Sequence, residues 1–420
     1  MRILVLPLAL VVVLAVLGGV LLYLRRRLVR DPFAPGRQRR VAGAALAGLF
    51  VVIVVCLVLA QVGPEWITPL AVPGYLGLAV LFYLLLSLLV LELPRWGLHR
   101  WSAQADHDHD HDHDHDHDHD HDHDHDHDHD HDHGHGAGEL ADPGRRRSIG
   151  RVLAGTAGVA AVATTGYGFV QARRVRAKPV TIPLAGLDPR ADGLRIALLS
   201  DIHLTRGLRE RSWMAQTVAT VNREQVDLVA VVGDLVDGDV DQLGGFAAPL
   251  RDLRAPLGTF FVTGNHEYIS GAEQWIDFLP SLGVRVLRNE RVEVHHRGVT
   301  IDVAGIDDVS GEGEGGGPDF AKALDGRDRE RTVILLAHQP VLVDRSRDAG
   351  VDLQLSGHTH GGQLWPLHYL VRLQQGHLAG LEQVGDTVLY TSRGVGSWGP
   401  PVRVGAPPEI TIITLRSELR

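Results

Sequence analysis

Three long apolar stretches limit what this chain can become. They run over 3–24 (ILVLPLALVVVLAVLGGVLLYL), 41–62 (VAGAALAGLFVVIVVCLVLAQV) and 70–92, the last uncharged up to its terminal Glu92. Each reaches the roughly 20 residues a helix needs to cross a bilayer, and apolar runs of that length are rare in soluble cores. A fourth, weaker run over 152–170 is rich in Gly, Ala and Thr, the composition of helices that pack closely inside membranes. A cleaved or interfacial segment is its alternative reading. The expected organisation is a three-helix transmembrane region over 1–104, a disordered Asp-His-rich loop over 105–147, a fourth transmembrane helix over 148–171 and a folded domain over 180–420.

Arginine sets the expected orientation. The first connection carries Arg25, Arg26, Arg27, Arg30, Arg37, Arg39 and Arg40, whereas the second, QVGPEWITP, carries none. Basic connections stay in the cytoplasm. The chain is then inside again for the Asp-His loop and for Arg145, Arg146 and Arg147, and the fourth segment carries the domain out. Arg173, Arg174, Arg176 and Lys178, just beyond that segment, count against export. RRSIGR at 146–151 loosely resembles a twin-arginine export signal and agrees with it. The expectation is a multi-pass cell-membrane protein with an extracytoplasmic domain.

The net charge of −10 is local. Residues 106–133 alternate Asp and His without interruption, with 14 of each. Without those aspartates the chain has 37 acidic against 41 basic residues, a balance of +4. The acidity therefore says nothing about partners of the folded part, and no basic, aromatic-interleaved surface points to nucleic acid. The tract itself has no apolar surface to bury and is expected to be disordered. It reads either as a metal buffer or sensor or as a repeat tolerated in a loop. The single cysteine, Cys56, rules out an intrachain disulfide and a cysteine-built zinc cluster.

Beyond residue 180 the pattern becomes α/β. Five short apolar runs each end in a polar, metal-capable residue: LRIALLS before Asp201, DLVAVVG before Asp234, LGTFFVTG before Asn265, TVILLA before His338 and VDLQLSG before His358. Helical stretches such as RSWMAQTVATVNREQ lie between some of them. Carboxyl ends of strands are where α/β sheets build their sites. A lone Asp or Asn after a strand is usually a turn residue. Five such endings in one domain are poorly explained that way.

Spacing adds a reason. In extended chain, residues i and i+2 share a side, so Asp201 and His203 can grip one cation. His358 and His360 have the same spacing, but the turn at Gly361 and Gly362 can send them to different cations. Asp234 can bridge two ions through its two oxygens. Mixed His, carboxylate and amide donors suit Mn²⁺, Fe²⁺ or Zn²⁺. Two such ions about 4 Å apart can hold a hydroxide and clamp a phosphoryl group.

DIH, GDLVDG, GNHE, His338 and GHTH, in this order, resemble the motifs of the calcineurin-like metallophosphoesterase superfamily. HGGQLWP and SRGVGSWGPPVRVGAPPEITIITL resemble its membrane-anchored branch. The resemblance implies a four-layer α/β/β/α sandwich. It implies one metal on Asp201, His203, Asp234 and His360, and a second sharing Asp234 with Asn265, His338 and His358. His266 would protonate the leaving oxygen or stabilise the transition state. The implied activity is hydrolysis of a phosphomono- or phosphodiester, lipid-linked where the anchor suggests it. The competing class is a non-enzymatic metal sensor or buffer built on the Asp-His tract.

Other residues are less defined. Asp237 is a loop cap or a support to the ligands, and Glu267 a support. Tyr268, Gln363, Arg393, Trp398 and Arg403 either face substrate or are structural. GEGEGGGP at 311–318 lacks the strand-to-helix context and the Lys-Ser/Thr of a P-loop and reads as a flexible surface loop. His295, His296, His368 and His377 are assigned to no metal.

Overall fold

The computed structural model describes Ala15 and residues 18–62, 65–94, 143–314 and 316–418. Most of the first apolar stretch and the whole Asp-His tract lie outside the described residues. Three long helices precede the sheets in the chain: α1 (Arg37–Val62), α2 (Ala71–Val90) and α3 (Pro143–Ala172). Three stretches here, Arg37–Leu59, Thr68–Pro94 and Arg147–Ala172, are long and apolar enough to cross a membrane. The described chain divides into two compact units, Met1–Val51 with Val80–Ala163, and Val52–Ala79 with Thr164–Arg420.

The described part of the first unit is helical. Glu92 does not stand alone in it: Arg27 bonds both Asp31 (2.8 Å) and Glu92 (2.6 Å), and the Tyr23 hydroxyl donates to Glu92 at 2.7 Å. Arg151 donates to the Pro32 carbonyl at 3.1 Å, which fastens the start of α3 to the arginine-rich connection.

The second unit holds two six-stranded sheets. β1 (Arg176–Ala185), β12 (Glu409–Glu418), β2 (Arg195–Leu199), β3 (Leu228–Val232), β4 (Thr259–Val262) and β5 (Val284–Val286) neighbour one another in that order. β10 (Gly380–Val384), β11 (Thr387–Thr391), β9 (Leu353–Ser356), β8 (Val333–Leu336), β7 (Val299–Gly305) and β6 (Glu290–His296) make the other. β2, β3, β4 and β5 run parallel, as do β7, β8, β9 and β11.

Alternation in the strands builds four layers. Ile196, Leu198, Leu228, Ala230 and Val232 enter a core shared with Ile334, Leu336, Leu353 and Leu355 of the other sheet. Their neighbours Ala197, Leu199, Val229 and Val231 face the opposite way. They pack on α4 (Arg211–Arg223), α5 (Val240–Ala247) and α7 (Ala272–Phe278) through Met214, Val218, Leu243 and Trp275. Val333 and Leu335 pack outward on Phe320 and Ala323 of α8 (Phe320–Ala323), beside α9 (Val343–Asp348). Buried on both faces, such strands must be apolar throughout. The fold is an α/β/β/α sandwich preceded by helices apolar enough for membrane spans.

Val309–Glu314 forms a 3₁₀ turn, and the Asn289 amide donates to Gly317 O at 2.9 Å.

Candidate metal centre

The two sheets deliver their polar strand ends to one edge. Asp201 and His203 follow β2, Asp234 follows β3, and Asn265 begins the short helix α6 (Asn265–Ser270) after β4. His338 follows β8, and His358 and His360 follow β9. Asp201, His203, Asp234, His358 and His360 all have positive φ, between 50° and 71°. Left-handed backbone is costly for residues with a Cβ and clusters where the surrounding structure needs it.

Three sets of donors converge, each with its atoms within 4.8 Å of one another: Asp201, His203 and His360; His203, Asp234 and His266; Asp234, His338 and His358. Asp234 Oδ2 lies 3.3 Å from His338 Nε2 and 3.7 Å from His203 Nε2. Asn265 Oδ1 lies 3.1 Å from His338 Nε2. All seven ligand candidates and His266 are thus brought together.

The second ring nitrogens are tied down. His338 Nδ1 bonds the Val232 carbonyl (2.8 Å), and His203 Nδ1 bonds Asp237 Oδ1 (2.8 Å). That leaves the Nε2 atoms aimed at the centre, the arrangement by which outer partners orient metal-binding imidazoles. Nε2 of His203 faces Nε2 of His360 at 3.1 Å, and Nδ1 of His358 faces Nε2 of His338 at 3.2 Å. Nitrogens that converge in this way need a proton or a cation between them. The donor set therefore fits divalent metal.

Charge within the centre is strongly redistributed. Burial opposes ionisation of Asp234, but His338, His203 and His266 hold its carboxyl far below the usual range. Burial raises Asp201, with His338 pulling the other way. Burial also pushes His358 down to about 3 and His360 well below its ordinary value, which keeps both imidazoles neutral. Ligand imidazoles must be neutral. On His338 burial is overcome by Asp234 and Asp201, which raise it well above normal. His266 is also raised: burial opposes its charge, but Asp237 and Asp234 prevail.

Supporting residues hold the ligand candidates in place. Glu267 is fully buried and accepts from the backbone N–H groups of Asp234 (2.9 Å), Leu235 (2.7 Å) and Gly264 (2.6 Å). Burial and the nearby Asp234 push its carboxyl up to about 7. Asp237 takes His203 Nδ1 and His266 Nδ1, both at 2.8 Å, and the Thr205 hydroxyl at 2.6 Å. Asp201 accepts from the Ser200 hydroxyl and from the His358 N–H (3.0 Å). Gly357 packs so closely on Ser200 and Asp201 that any Cβ would occupy their space.

Of the five residues left between substrate and structure, Trp398 stands exposed beside the site, with its ring 6.4 Å from that of His266. Arg403 is 0% exposed and donates to Gly396 O, His360 O and Ala406 O, while its Nη2 lies 3.2 Å from His360 Nδ1. Gln363 straps Trp398 O and Pro400 O, Arg393 pairs with Glu409, and the Tyr268 hydroxyl meets Thr263. These four have internal partners instead of an open mouth. Sequence reasoning missed Ser200 and also Arg209, whose Nε donates to His203 O at 2.7 Å. Ser200 precedes a ligand candidate directly; nothing in the sequence marks Arg209. His377 pairs with Glu382 and His295 with Thr300, away from the centre.

The model of the calcineurin-like phosphoesterase family matches residues 194–362. Over 263 residues the chain is 37% identical to an uncharacterized metallophosphoesterase of Aquifex aeolicus, a match covering 61% of this chain and 98% of that one. It is 39% identical over 231 residues to an uncharacterized metallophosphoesterase of Campylobacter jejuni, covering 54% and 60% of the two chains. It is 41% identical over 251 residues to the transmembrane protein with metallophosphoesterase domain of Bos taurus, covering 57% and 56%. The chain thus spans little more than half the length of the latter two relatives. With a match that runs nearly the whole length of one relative, and with the strand-end donors gathered at one edge, this chain belongs to the calcineurin-like metallophosphoesterase family.

Proposed function

We propose that this protein is a membrane-anchored, dinuclear metal-dependent phosphoesterase. The observation that carries the reading is Asp234, whose carboxylate lies between the Asp201–His203–His360 group and the His338–His358 group. Asp201, His203, Asp234 and His360 would hold one divalent cation, and Asp234, Asn265, His338 and His358 a second. Mn²⁺, Fe²⁺ and Zn²⁺ suit this donor set. Bound there, the cations supply Lewis acidity and charge neutralisation to a phosphoryl group.

The chain's own residues do the rest. Hydrolysis adds water across a P–O bond, so the leaving oxygen must gain a proton. His266 is held through Nδ1 by Asp237, and its raised proton affinity keeps Nε2–H available for that transfer. The Trp398 ring stands beside it, 6.4 Å away. Arg403 and Asp237 hold His360 and His203 in register, and Glu267 fixes the turn that carries Asp234.

The orientation we propose is extracytoplasmic, on the arginine-rich first connection and the arginine-free second one. A phosphoester carried by a lipid suits an enzyme anchored in this way.

The test uses the purified full chain with bis-p-nitrophenyl phosphate and p-nitrophenyl phosphate, loaded with Mn²⁺ or Zn²⁺ or treated with chelator. The expected result is metal-dependent turnover, with kcat reduced about 10²–10⁴-fold in His266→Ala. Asp234→Asn should lose both turnover and bound metal. Wild-type rates in both variants would refute the site.

A further inference from the structure

Helix α10 (His368–Gln375) presents its apolar side away from the domain. At about 100° per residue, Tyr369, Leu370 and Leu373 fall within roughly a third of a turn of one another. They are 67%, 64% and 83% exposed, whereas Gln375 on the opposite side is buried. Trp365, just before the helix, is also exposed. A helix on a soluble domain turns its apolar stripe inward. Here the arrangement is inverted, and a clustered exposed apolar face marks a surface that something covers.

Three observations identify the cover. The apolar stretch ending at Ala172 lies only a short turn before β1 begins at Arg176. The last turns of that helix touch the segment that supports α10: Arg403 N–H donates to Gly168 O at 2.9 Å, and Val402 and Val404 pack against Gly168. Val404 O in turn accepts the Trp365 N–H at 3.0 Å. One residue therefore separates Trp365 from the membrane helix. Finally, Arg173, Arg174 and Arg176 are exposed where the helix ends, and Arg372 is exposed on α10. Trp and Tyr favour the membrane–water interface, and Arg there meets anionic headgroups.

We propose that α10 and Trp365 lie in the interfacial layer of the same bilayer that holds α3. The inference rests on α3 crossing the membrane and not on the hydrolytic reading. Its consequence reaches the site, because the start of α10 packs against Gly362 and the Thr359 hydroxyl donates to Leu378 O at 2.6 Å. The loop that carries His358 and His360 is thereby held at headgroup depth, and a lipid-borne phosphoester meets it without leaving the membrane.

The test is made on the full chain with Cys56→Ala and Leu373→Cys, labelled with an environment-sensitive fluorophore and placed in nanodiscs of phosphatidylcholine and phosphatidylglycerol. The expected result is quenching by headgroup-region spin-labelled lipid and protection from aqueous iodide. Quenching by iodide without quenching by the lipid label would overturn the proposal. So would protection from both with energy transfer between labelled copies, since a second copy would then cover the face. A Leu370→Glu/Leu373→Glu variant adds a second readout. It should turn over soluble bis-p-nitrophenyl phosphate as wild type does, but cleave a fluorogenic phosphodiester lipid in the same discs at least about tenfold more slowly. Equal loss on both substrates would count against a docking role. If no substrate is turned over at all, the quenching still decides the inference.

Discussion

Arg403 is a buried guanidinium in the domain interior and, among the described residues, has no carboxylate within hydrogen-bonding distance. Burial lowers its pKa to about 9, and carbonyl oxygens of Gly396, His360 and Ala406 absorb most of its donors. A buried charge of this kind is kept only where its geometry matters. What it fixes is the ring and backbone of His360. Arg403→Met should therefore lower affinity for the cation that His360 would help to hold by about 10–100-fold, the range for loss of an outer partner. Arg403→Lys should not restore it, because an ammonium cannot span three carbonyls and a ring nitrogen from one position. Calorimetric titration of the metal-free protein with Mn²⁺ reads this directly. A folded Arg403→Met protein with unchanged affinity would leave Arg403 a packing residue only.

Between elements, one contact ties an apolar helix to the chemistry. Gly168 lies in the last turns of α3, and a Cβ there would collide with Val402 and Val404, on either side of Arg403. Gly168→Leu should displace that loop, loosen His360 and lower metal affinity and kcat together, while the protein still inserts in membranes. Gly155→Leu, in the same helix with open space around it, should change neither. Metal content and turnover of the two purified variants make the comparison. None of this was legible in the sequence, where Gly168 is one small residue among many in a span. The strand ends were legible because Asp201, Asp234, Asn265, His338 and His358 each directly follow an apolar run, and buried parallel strands require such runs. Arg403 to His360 is a contact across 43 positions of chain, and Arg209 to His203 ends on a backbone carbonyl that no side-chain pattern reveals. The four layers came from the resemblance, since alternation inside a fully apolar strand does not say what lies on either face. Gln363 and Arg393 looked available for substrate only because their partners, the Trp398 backbone and Glu409, are distant in sequence.

At the scale of the whole molecule, the proposed orientation predicts which side of the membrane the site occupies. The arginine-rich connection and the start of α3 belong to one unit, joined by Arg151 and Pro32. The turn between α1 and α2 belongs to the other, where the Thr68 carbonyl packs against Gly207 of the domain. Basic connections are retained in the cytoplasm. A domain that packs on the arginine-free turn should then be exported. Arg173, Arg174 and Arg176 oppose this in a simple charge count, but at the end of α3 they would meet headgroups on whichever side the domain lies. With Cys56→Ser as background, Asp348→Cys on the exposed end of α9 should react with a membrane-impermeant maleimide on intact cells. Ala137→Cys, beside the Asp-His tract, should react only after lysis. The reverse pattern would place the centre in the cytoplasm, where the tract would share its compartment and its metal supply. Labelling in the expected pattern would separate the two, and deletion of 106–135 should then leave phosphoester turnover by the exported domain unchanged.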